Sequence, residues 1–260
     1  MAHIYAFANQ KGGVGKTTSV VNIAAYLAES GMRVLIVDLD PQANATSAVG
    51  VDRDSIKHST YDLLLERADA ASMIVRNEDA SLDILPASPS LAGAEVELVN
   101  QLAREYRLQR NLDSIDEDYD YILIDCPPSL GLLTLNALTA AMHGVVIPVQ
   151  CEYLALEGLT QLTQTIELVR THLNRRLKLR GIILTMYDGR TKLSRQVVNE
   201  IRTHFEGQVF RAIVPRNIRL SEAPSYGKPI NLYAPDSTGA FGYKVLAAEL
   251  LQSDRTKSRR

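Results

Sequence analysis

The sequence lacks any apolar run that approaches the roughly 18 residues needed to cross a bilayer. No signal or transit segment precedes its strand-like residues 3–9, and we find no internal repeat and no low-complexity linker. Its only two cysteines, Cys126 and Cys151, lie far apart and form no C-x-x-C pair, which favours a reducing cytosol. We therefore expect a cytoplasmic globular protein that does not enter a membrane.

Net charge is also nearly absent, at −2, which by itself argues against a dedicated nucleic-acid-binding protein. The distribution is uneven, however. Residues 1–169 carry 10 Lys and Arg against 23 Asp and Glu, whereas residues 170–219 carry 12 against 3. Such segregation would give one face a local positive field, although an Arg-rich solvated surface would have the same composition.

Short apolar runs rich in β-branched residues alternate with amphipathic stretches along the whole chain. Strands are predicted at residues 3–9, 33–38, 82–86, 121–125, 144–150, 181–186 and 209–214. Helices are predicted at residues 16–30, 91–112, 131–141, 157–173, 194–206 and 240–251. This alternation indicates an α/β fold with a doubly wound, mostly parallel sheet and helices on both faces. We expect one domain over residues 1–252 and a short, basic, flexible tail over residues 253–260.

Residues 9–19, NQKGGVGKTTS, lie between the first predicted strand and the first predicted helix. They match the phosphate-binding loop G-x-x-x-x-G-K-[ST] of P-loop NTPases, except that Gln10 replaces the first glycine. The glycines would let backbone N–H groups point at phosphate oxygens, and the following helix adds its positive N-terminal end. Lys16 would hold the β- and γ-phosphates, and the Thr17 hydroxyl would ligate Mg²⁺. The loop residues predicted to bind the nucleotide are Gly12, Gly13, Val14, Gly15, Lys16, Thr17 and Thr18.

Three aspartates follow predicted strands, at the edge where open α/β sheets bind ligands. Asp125 ends the apolar run YILID and is the expected second carboxylate of the Mg²⁺ site. Asp40 lies just beyond another strand, so it can approach the γ-phosphate and orient the attacking water. With Thr17, Asp40 and Asp125 form the predicted Mg²⁺ site, partly through water. Asp38 and Asp125 could instead cap the helices that follow them.

Lys11 is a second lysine on a loop that already has its phosphate lysine. A cation at this position would point outward, across the nucleotide, and phosphoryl transfer often uses a cation supplied in trans. From the residues alone, Lys11 is either a solvated side chain or a group that reaches the phosphates bound to a second protomer.

The motif KGGVGKTT resembles the deviant Walker A motif of the ParA/MinD superfamily, whose hallmark is that second lysine. VDLDPQANATS resembles the switch region of the same family, with Asp40 at its catalytic aspartate. CEYLALEGLTQL and NIRLSEAPSYGKPI are similar to segments of the ParA/Soj-type chromosome-partitioning ATPases, and the resemblance extends from residue 3 to about residue 250. Ala43 departs from the pattern, because the family usually has glycine there, and alanine could stiffen the switch.

The resemblance implies an ATP-hydrolysing switch for chromosome or plasmid segregation. ATP with Mg²⁺ would close two protomers into a sandwich homodimer, with Lys11, Lys16 and Asp40 as catalytic residues and Lys11 also binding the nucleotide. The dimer would bind double-stranded DNA without sequence preference. A ParB-like centromere-binding partner would stimulate slow hydrolysis and release. The implied location is the nucleoid within the cytoplasm.

The resemblance also implies that the adenine lies against Pro215 and Asn217 and that Arg219 contacts DNA. Arg219 ends the positive segment 170–219. Arg195 and Arg202 are seven residues apart on a predicted helix, hence on one face, and complete the expected DNA-binding set. Phosphate contacts of this kind need no base readout and depend strongly on salt.

Other functions remain open. A MinD-like division-site regulator would anchor through a C-terminal amphipathic helix, whereas the residues after Leu251, QSDRTKSRR, include no apolar side chain. A metabolic member of the fold, such as the nitrogenase iron protein or an ATP-dependent ligase, is a second alternative. The iron protein requires cluster cysteines, but Cys126 and Cys151 follow different strands and fit ordinary buried thiols. A monomeric P-loop kinase would need an acceptor pocket and an arginine-bearing lid, which the sequence does not identify.

Overall fold

A computed structural model describes residues 1–152 and 155–257 of the chain. The strands of this part are β1 (His3–Phe7), β2 (Val34–Asp38), β3 (Val75–Asn77), β4 (Leu82–Leu85), β5 (Tyr121–Asp125), β6 (Gly144–Gln150), β7 (Leu179–Tyr187) and β8 (Val209–Pro215). Its longer helices are α1 (Lys16–Glu29), α5 (Leu91–Glu97), α6 (Arg107–Leu112), α7 (Leu132–Ala140), α8 (Ala155–His172), α9 (Lys192–His204) and α12 (Thr238–Lys257). Helices of four or five residues are α2 (Asn44–Ala48), α3 (Thr60–Leu64), α4 (Ala70–Met73), α10 (Ile218–Glu222) and α11 (Ile230–Tyr233).

The strands form one sheet in the order β3–β4–β2–β5–β1–β6–β7–β8. Every neighbouring pair is parallel except β3 with β4. Side chains of α1 and α12 build the apolar core on one face, and those of α7, α8 and α9 build the core on the other. The predicted α/β fold, with a doubly wound, mostly parallel sheet and helices on both faces, is therefore confirmed.

The predicted helix over residues 91–112 is wrong, because α5 and α6 are separate. Between them Ala103 has a φ of 51°, a left-handed conformation that a continuous right-handed helix cannot include. The prediction also missed β3 and the five α-helices of four or five residues, which are too short to develop a periodic apolar pattern.

Helix α12 continues to Lys257, so residues 253–257, which the sequence pattern placed in a flexible tail, are helical. Residues 258–260 lie outside the described residues. The extension is stabilised at Asp254, which is buried and lies 3.0 Å from Arg180 of β7. The same carboxylate accepts hydrogen bonds from the hydroxyls of Tyr5 (2.9 Å) and Tyr121 (3.2 Å). Because a buried charge needs such partners, this cluster attaches the last turns of α12 to three strands.

Among the described residues, no helix is both long and apolar enough to span a membrane.

Candidate active site

The topology brings the predicted loop and acids to one edge of the sheet. β1 lies between β5 and β6, and the chain leaves β1 directly into the loop of residues 8–15. In the register of the three central strands, Phe7 pairs with Asp125, which pairs with Asp38 on its other side. The carboxyl ends of β1, β2 and β5 therefore present the loop and both buried aspartates side by side.

The loop is held in a shape that only glycine adopts easily at two positions. Gly13 has a φ of 73° and Gly15 a φ of 87°, both left-handed. Gly15 is the N-cap of α1 and provides no side-chain cap, and the first turn of α1 has no acidic residue. The first N–H groups of α1 are thus left without a side-chain acceptor, a typical arrangement for binding an anion.

Two buried polar side chains that the sequence patterns did not identify fix this loop to neighbouring strands. Asn9 donates to the carbonyl of Pro148 on β6 (2.8 Å) and accepts the N–H of Lys11 (3.0 Å). The Thr185 hydroxyl at the end of β7 donates to the carbonyl of Val14 (2.8 Å). Their roles depend on which strands become neighbours, so the only sequence signal was their position at the ends of strands.

The two lysines of the loop have different environments. Lys16 is buried, with 6% of its surface exposed, and its ammonium donates to the carbonyl of Lys11 (3.3 Å). Burial lowers the pKa of Lys16, and the charge of Asp125 opposes that shift. Lys11 is exposed. Only Lys16 is therefore directed to the interior of its own loop.

Asp125 is fully buried, and neither of its carboxylate oxygens accepts a hydrogen bond of regular geometry from the described residues. Burial and then the charge of Asp38 raise the pKa of Asp125 well above its ordinary value, and the Thr17 hydroxyl and Lys16 oppose this shift. A buried carboxylate whose oxygens lack hydrogen bonds of regular geometry, beside a hydroxyl, is a site that a divalent cation would complete.

The described residues include no cluster of three or more His, Cys, Asp or Glu arranged to hold a metal ion. A cation here would therefore need ligands from outside the protein. Mg²⁺ commonly binds in this way, through one or two protein oxygens together with phosphate and water. Thr17 and Asp125 fit such a partial ligand set.

Asp38 has a structural role. It accepts hydrogen bonds from the backbone N–H (2.9 Å) and hydroxyl (2.7 Å) of Thr46 and from the N–H of Asp40 (3.1 Å). These bonds cap α2, whose own N-cap residue, Ala43, has no side-chain acceptor. Burial is the main reason that the pKa of Asp38 is raised to about 6. The capping interpretation is therefore the one that its contacts favour.

Asp40 lies next to the loop with 7% of its surface exposed, and its carboxylate accepts the N–H of Gln42 (2.9 Å). Ala43, three residues later, has a φ of 51° and a ψ of 40°, a region that costs a non-glycine residue on the order of 1–3 kcal/mol. Two hydrogen bonds of 2.8 Å hold it there. The Ala43 N–H donates to the backbone carbonyl of Asp40, and the Arg53 guanidinium donates to the Ala43 carbonyl. The chain between Asp40 and α2 is thus under local strain.

The residues predicted to contact adenine lie beyond β8. Pro215 ends that strand, and Asn217 caps α10 by accepting the N–H of Arg219 (2.8 Å). The Asn217 amide also donates to Thr238 (2.8 Å), so local contacts already occupy this side chain. A cavity of about 480 Å³ opens beside Thr17 and Thr18, between α1, α2 and residues 221–229.

The basic segment does not form one surface. Residues 170–178 form the end of α8 and the connection to β7, at the amino edge of the sheet, and Arg180 is buried against Asp254. Arg219 lies at the opposite, carboxyl edge, where its guanidinium is 2.8 Å from Glu222. The expectation of a single positive face from residues 170–219 is therefore wrong, because β7 and α9 cross the sheet between the two edges.

Helix α9 has the amphipathic character that the sequence pattern predicts. Val197, Val198 and Ile201 are buried, whereas Arg195 and Arg202 are exposed on the other side. Arg195 lies near the start of α9, which follows the carboxyl end of β7, and Arg202 lies near its other end. The structure therefore places Arg195, but not Arg202, towards the edge that carries Arg219.

The chain matches the family model described as an AAA domain over residues 2–179. It is 54% identical to the sporulation initiation inhibitor protein Soj of Bacillus subtilis, over 96% of this chain and 98% of that protein. It is also 54% identical to the chromosome partitioning protein ParA of Myxococcus xanthus, over 100% of this chain and 92% of that one.

Among solved structures, the chain resembles one named cobyrinic acid a,c-diamide synthase from Mycobacterium smegmatis, with bound ATP analog and magnesium. The two superpose with a TM-score of 0.87 at 42% identity, covering 100% of this chain and 98% of that one.

Proposed function

This chain belongs to the ParA/Soj family of chromosome-partitioning proteins, and from that premise we propose that it is an ATPase switch whose ATP-bound homodimer binds DNA. The observation that carries the proposal is the contrast between the two lysines of one loop. Lys16 is buried beside Asp125, and Lys11 is exposed. One protomer can therefore hold its own nucleotide with Lys16 and offer Lys11 to a second protomer.

In this proposal the loop N–H groups and Lys16 bind the phosphates of ATP. Thr17 would ligate Mg²⁺, with Asp125 and Asp40 reaching it partly through water, and the ion would supply charge neutralisation at the β- and γ-phosphates. Asp40 orients the attacking water. Lys11 of the second protomer neutralises the charge that develops on the transferred phosphoryl group. Pro215 and Asn217 border the adenine.

DNA contact is assigned to Arg219 and Arg195 at the carboxyl edge, with Arg202 as an outlying contact. The dimer doubles every such contact, so a weak site on one protomer becomes a useful site on two. The expected single ATPase unit of residues 1–252, extended to the end of α12 at Lys257, acts in the cytoplasm, on the nucleoid. A ParB-like partner stimulates slow hydrolysis and thereby releases the DNA.

The test of this function is retention of DNA by the protein with ADP, with ATP and with a non-hydrolysable ATP analogue, each with Mg²⁺. We expect retention with either triphosphate and none with ADP, and the analogue complex should last longer because it cannot be hydrolysed. Equal retention in all three states would contradict a nucleotide-controlled dimer.

Arg219→Ala is expected to dimerise with ATP like the wild type but to lose most of its DNA affinity. Since each protomer loses one phosphate contact, the slope of log affinity against log salt should fall by about 2 for the dimer. Arg170→Ala is the matched control. Arg170 is also exposed and forms an ion pair with a glutamate three positions away, Glu167, but it lies near the end of α8, far from the edge that carries Arg219. Wild-type affinity and salt slope in Arg219→Ala would show that the DNA contact lies elsewhere.

An amide-forming ligase is a second candidate, because one similar structure carries the name of a diamide synthase. Such an enzyme would use ATP cleavage to join a carboxylic acid to an amino donor through an amide bond. Turnover that requires both of these, and does not respond to DNA, would favour the ligase over the switch.

A further inference from the structure

The segment that carries Arg219 touches the end of the segment that carries Asp40. We call residues 217–229 the Arg219 segment and residues 40–50 the Asp40 segment. They meet at Gly227 and Gly50, whose backbones are in direct contact. A Cβ placed on Gly50 would lie 2.8 Å from the carbonyl oxygen of Gly227, and a Cβ on Gly227 would lie 2.7 Å from the Cα of Gly50. Since real Cβ atoms essentially never approach so closely, no side chain fits on either side of this contact.

The Asp40 segment is a short, hydrogen-bonded connection from the candidate active site to Gly50. Asp38 caps α2 through Thr46, and the end of α2 is closed by hydrogen bonds from Gly50 to Ser47 (2.9 Å) and from Val51 to Thr46 (3.2 Å). A displacement of Asp40 that accompanies nucleotide binding has a short path to Gly50, because the N–H of Ala43 donates to the Asp40 carbonyl (2.8 Å) and α2, which follows Ala43, has only five residues.

The Arg219 segment is tethered on one side and has space on the other. The N–H of Ile230, just after the segment, donates to Asn22 of α1 (2.7 Å), which begins in the phosphate loop. Beside this contact, a cavity of about 480 Å³ is lined by the N-terminal turns of α1, by α2 and by several of residues 221–229. A push at Gly227 can therefore shift the part of the segment that borders this cavity, whereas Ala223 stays packed in the core.

Within that segment, Glu222 holds Arg219 in place. Its carboxylate lies 2.8 Å from the Arg219 guanidinium and accepts the hydroxyl of Tyr233 (3.0 Å), and the Tyr226 and Tyr233 rings stack at 4.9 Å. In this arrangement Arg219 is already paired with a carboxylate, so contact with a DNA phosphate requires that the pair open. Movement at Gly227, five residues from Glu222, would change this pairing.

We propose that the Gly50–Gly227 contact transmits the nucleotide state of the Asp40 segment to Arg219 and so regulates DNA binding; this inference rests on the function proposed above. A backbone-to-backbone contact suits this role, because no flexible side chain lies between the two segments to absorb the motion. Coupling of this kind is reciprocal, so DNA binding must raise ATP affinity by the same factor by which ATP raises DNA affinity.

The experiment compares Gly50→Ala and Gly227→Ala with Gly31→Ala. Gly31 also has a positive φ, of 84°, but an added Cβ there meets no atom within 4 Å. The control therefore carries the backbone strain of alanine at a positive φ without separating two segments. DNA affinity is measured with ATP and with ADP, ATP affinity is measured without DNA, and hydrogen exchange of residues 217–229 is followed with and without ATP.

We expect the ratio of DNA affinity with ATP to that with ADP to fall at least about fivefold in Gly50→Ala and Gly227→Ala, at unchanged ATP affinity without DNA. Gly31→Ala should keep the wild-type ratio. ATP should alter hydrogen exchange of residues 217–229 in the wild type and in Gly31→Ala, but not in Gly50→Ala.

The two proposals fail differently. If Gly50→Ala and Gly227→Ala both keep the wild-type ratio of DNA affinity with ATP to that with ADP, the proposed coupling is refuted while the DNA-binding function stands. If the wild type never binds DNA, the proposed DNA-binding function is refuted. The hydrogen-exchange measurement then still tests whether the Gly50–Gly227 contact transmits the nucleotide state. If neither contact variant folds, unchanged exchange of residues 217–229 in the wild type on adding ATP overturns the coupling.

Discussion

Lys11→Ala should bind ATP nearly as well as the wild type yet remain a monomer and lose ATP-dependent DNA binding. The structure explains why the substitution should leave the phosphate loop intact. Lys16 contacts the backbone carbonyl of Lys11, and Asn9 accepts its backbone N–H, so alanine keeps both bonds that shape the loop. Only the exposed ammonium is removed.

Loss of one partner from a buried charge pair at an interface costs about 2–5 kcal/mol, and a symmetric dimer loses two such pairs. We therefore expect the dimer dissociation constant to rise by a factor on the order of 10³ or more. Light scattering with ATP and Mg²⁺ measures the dimer, and nucleotide titration measures binding. Lys57→Ala, which removes the same charge from another exposed position, should behave like the wild type. A stable ATP-bound dimer of Lys11→Ala would refute the supply of this lysine in trans.

Asp40→Ala should slow ATP hydrolysis by about 10²- to 10⁴-fold, the usual contribution of a positioned acid–base group, and should trap the DNA-bound dimer. The hydrogen bond that its side chain makes to the N–H of Gln42 is a local one. Removal of the Asp40 carboxylate leaves unchanged both the phosphate loop and the hydrogen bonds by which Asp38 anchors α2. Binding should therefore survive while turnover is lost.

Asp40→Asn separates chemistry from structure, because asparagine keeps the acceptor for Gln42 and removes only the charge. Phosphate release and DNA retention should match those of Asp40→Ala if the carboxylate acts on water. Wild-type turnover in Asp40→Asn, with slow turnover in Asp40→Ala, would reduce Asp40 to a structural role.

The strands were predictable because their signal is local. Runs such as Tyr121–Asp125 are buried throughout, so their apolar character is continuous in the sequence. β3, with sequence VRN, is a partly exposed antiparallel edge strand of three residues and offers no such signal. The break at Ala103 was equally invisible, since alanine is a good helix former and only its tertiary setting imposes a left-handed φ.

The candidate site was predictable where its parts are adjacent in sequence or end a strand, as in the phosphate loop and Asp125. Contacts that depend on strand order were not. Thr185 reaches Val14 across 171 residues, and the basic stretch before Arg219 divides between two edges because the chain crosses the sheet within it. Spacing along the chain carries no information about such crossings.

The cluster around Asp254 also bears on the order in which the protein can be completed. Tyr5 and Asp254 are separated by 249 positions, yet one hydrogen bond joins them. Synthesis runs from the amino terminus, so β1 and the phosphate loop are made long before the last turns of α12. Until Asp254 is made, Arg180 lacks its buried counter-charge, and the hydroxyls of Tyr5 and Tyr121 lack this acceptor. A nascent chain can therefore present every residue of the phosphate loop long before the cluster around Asp254 can form.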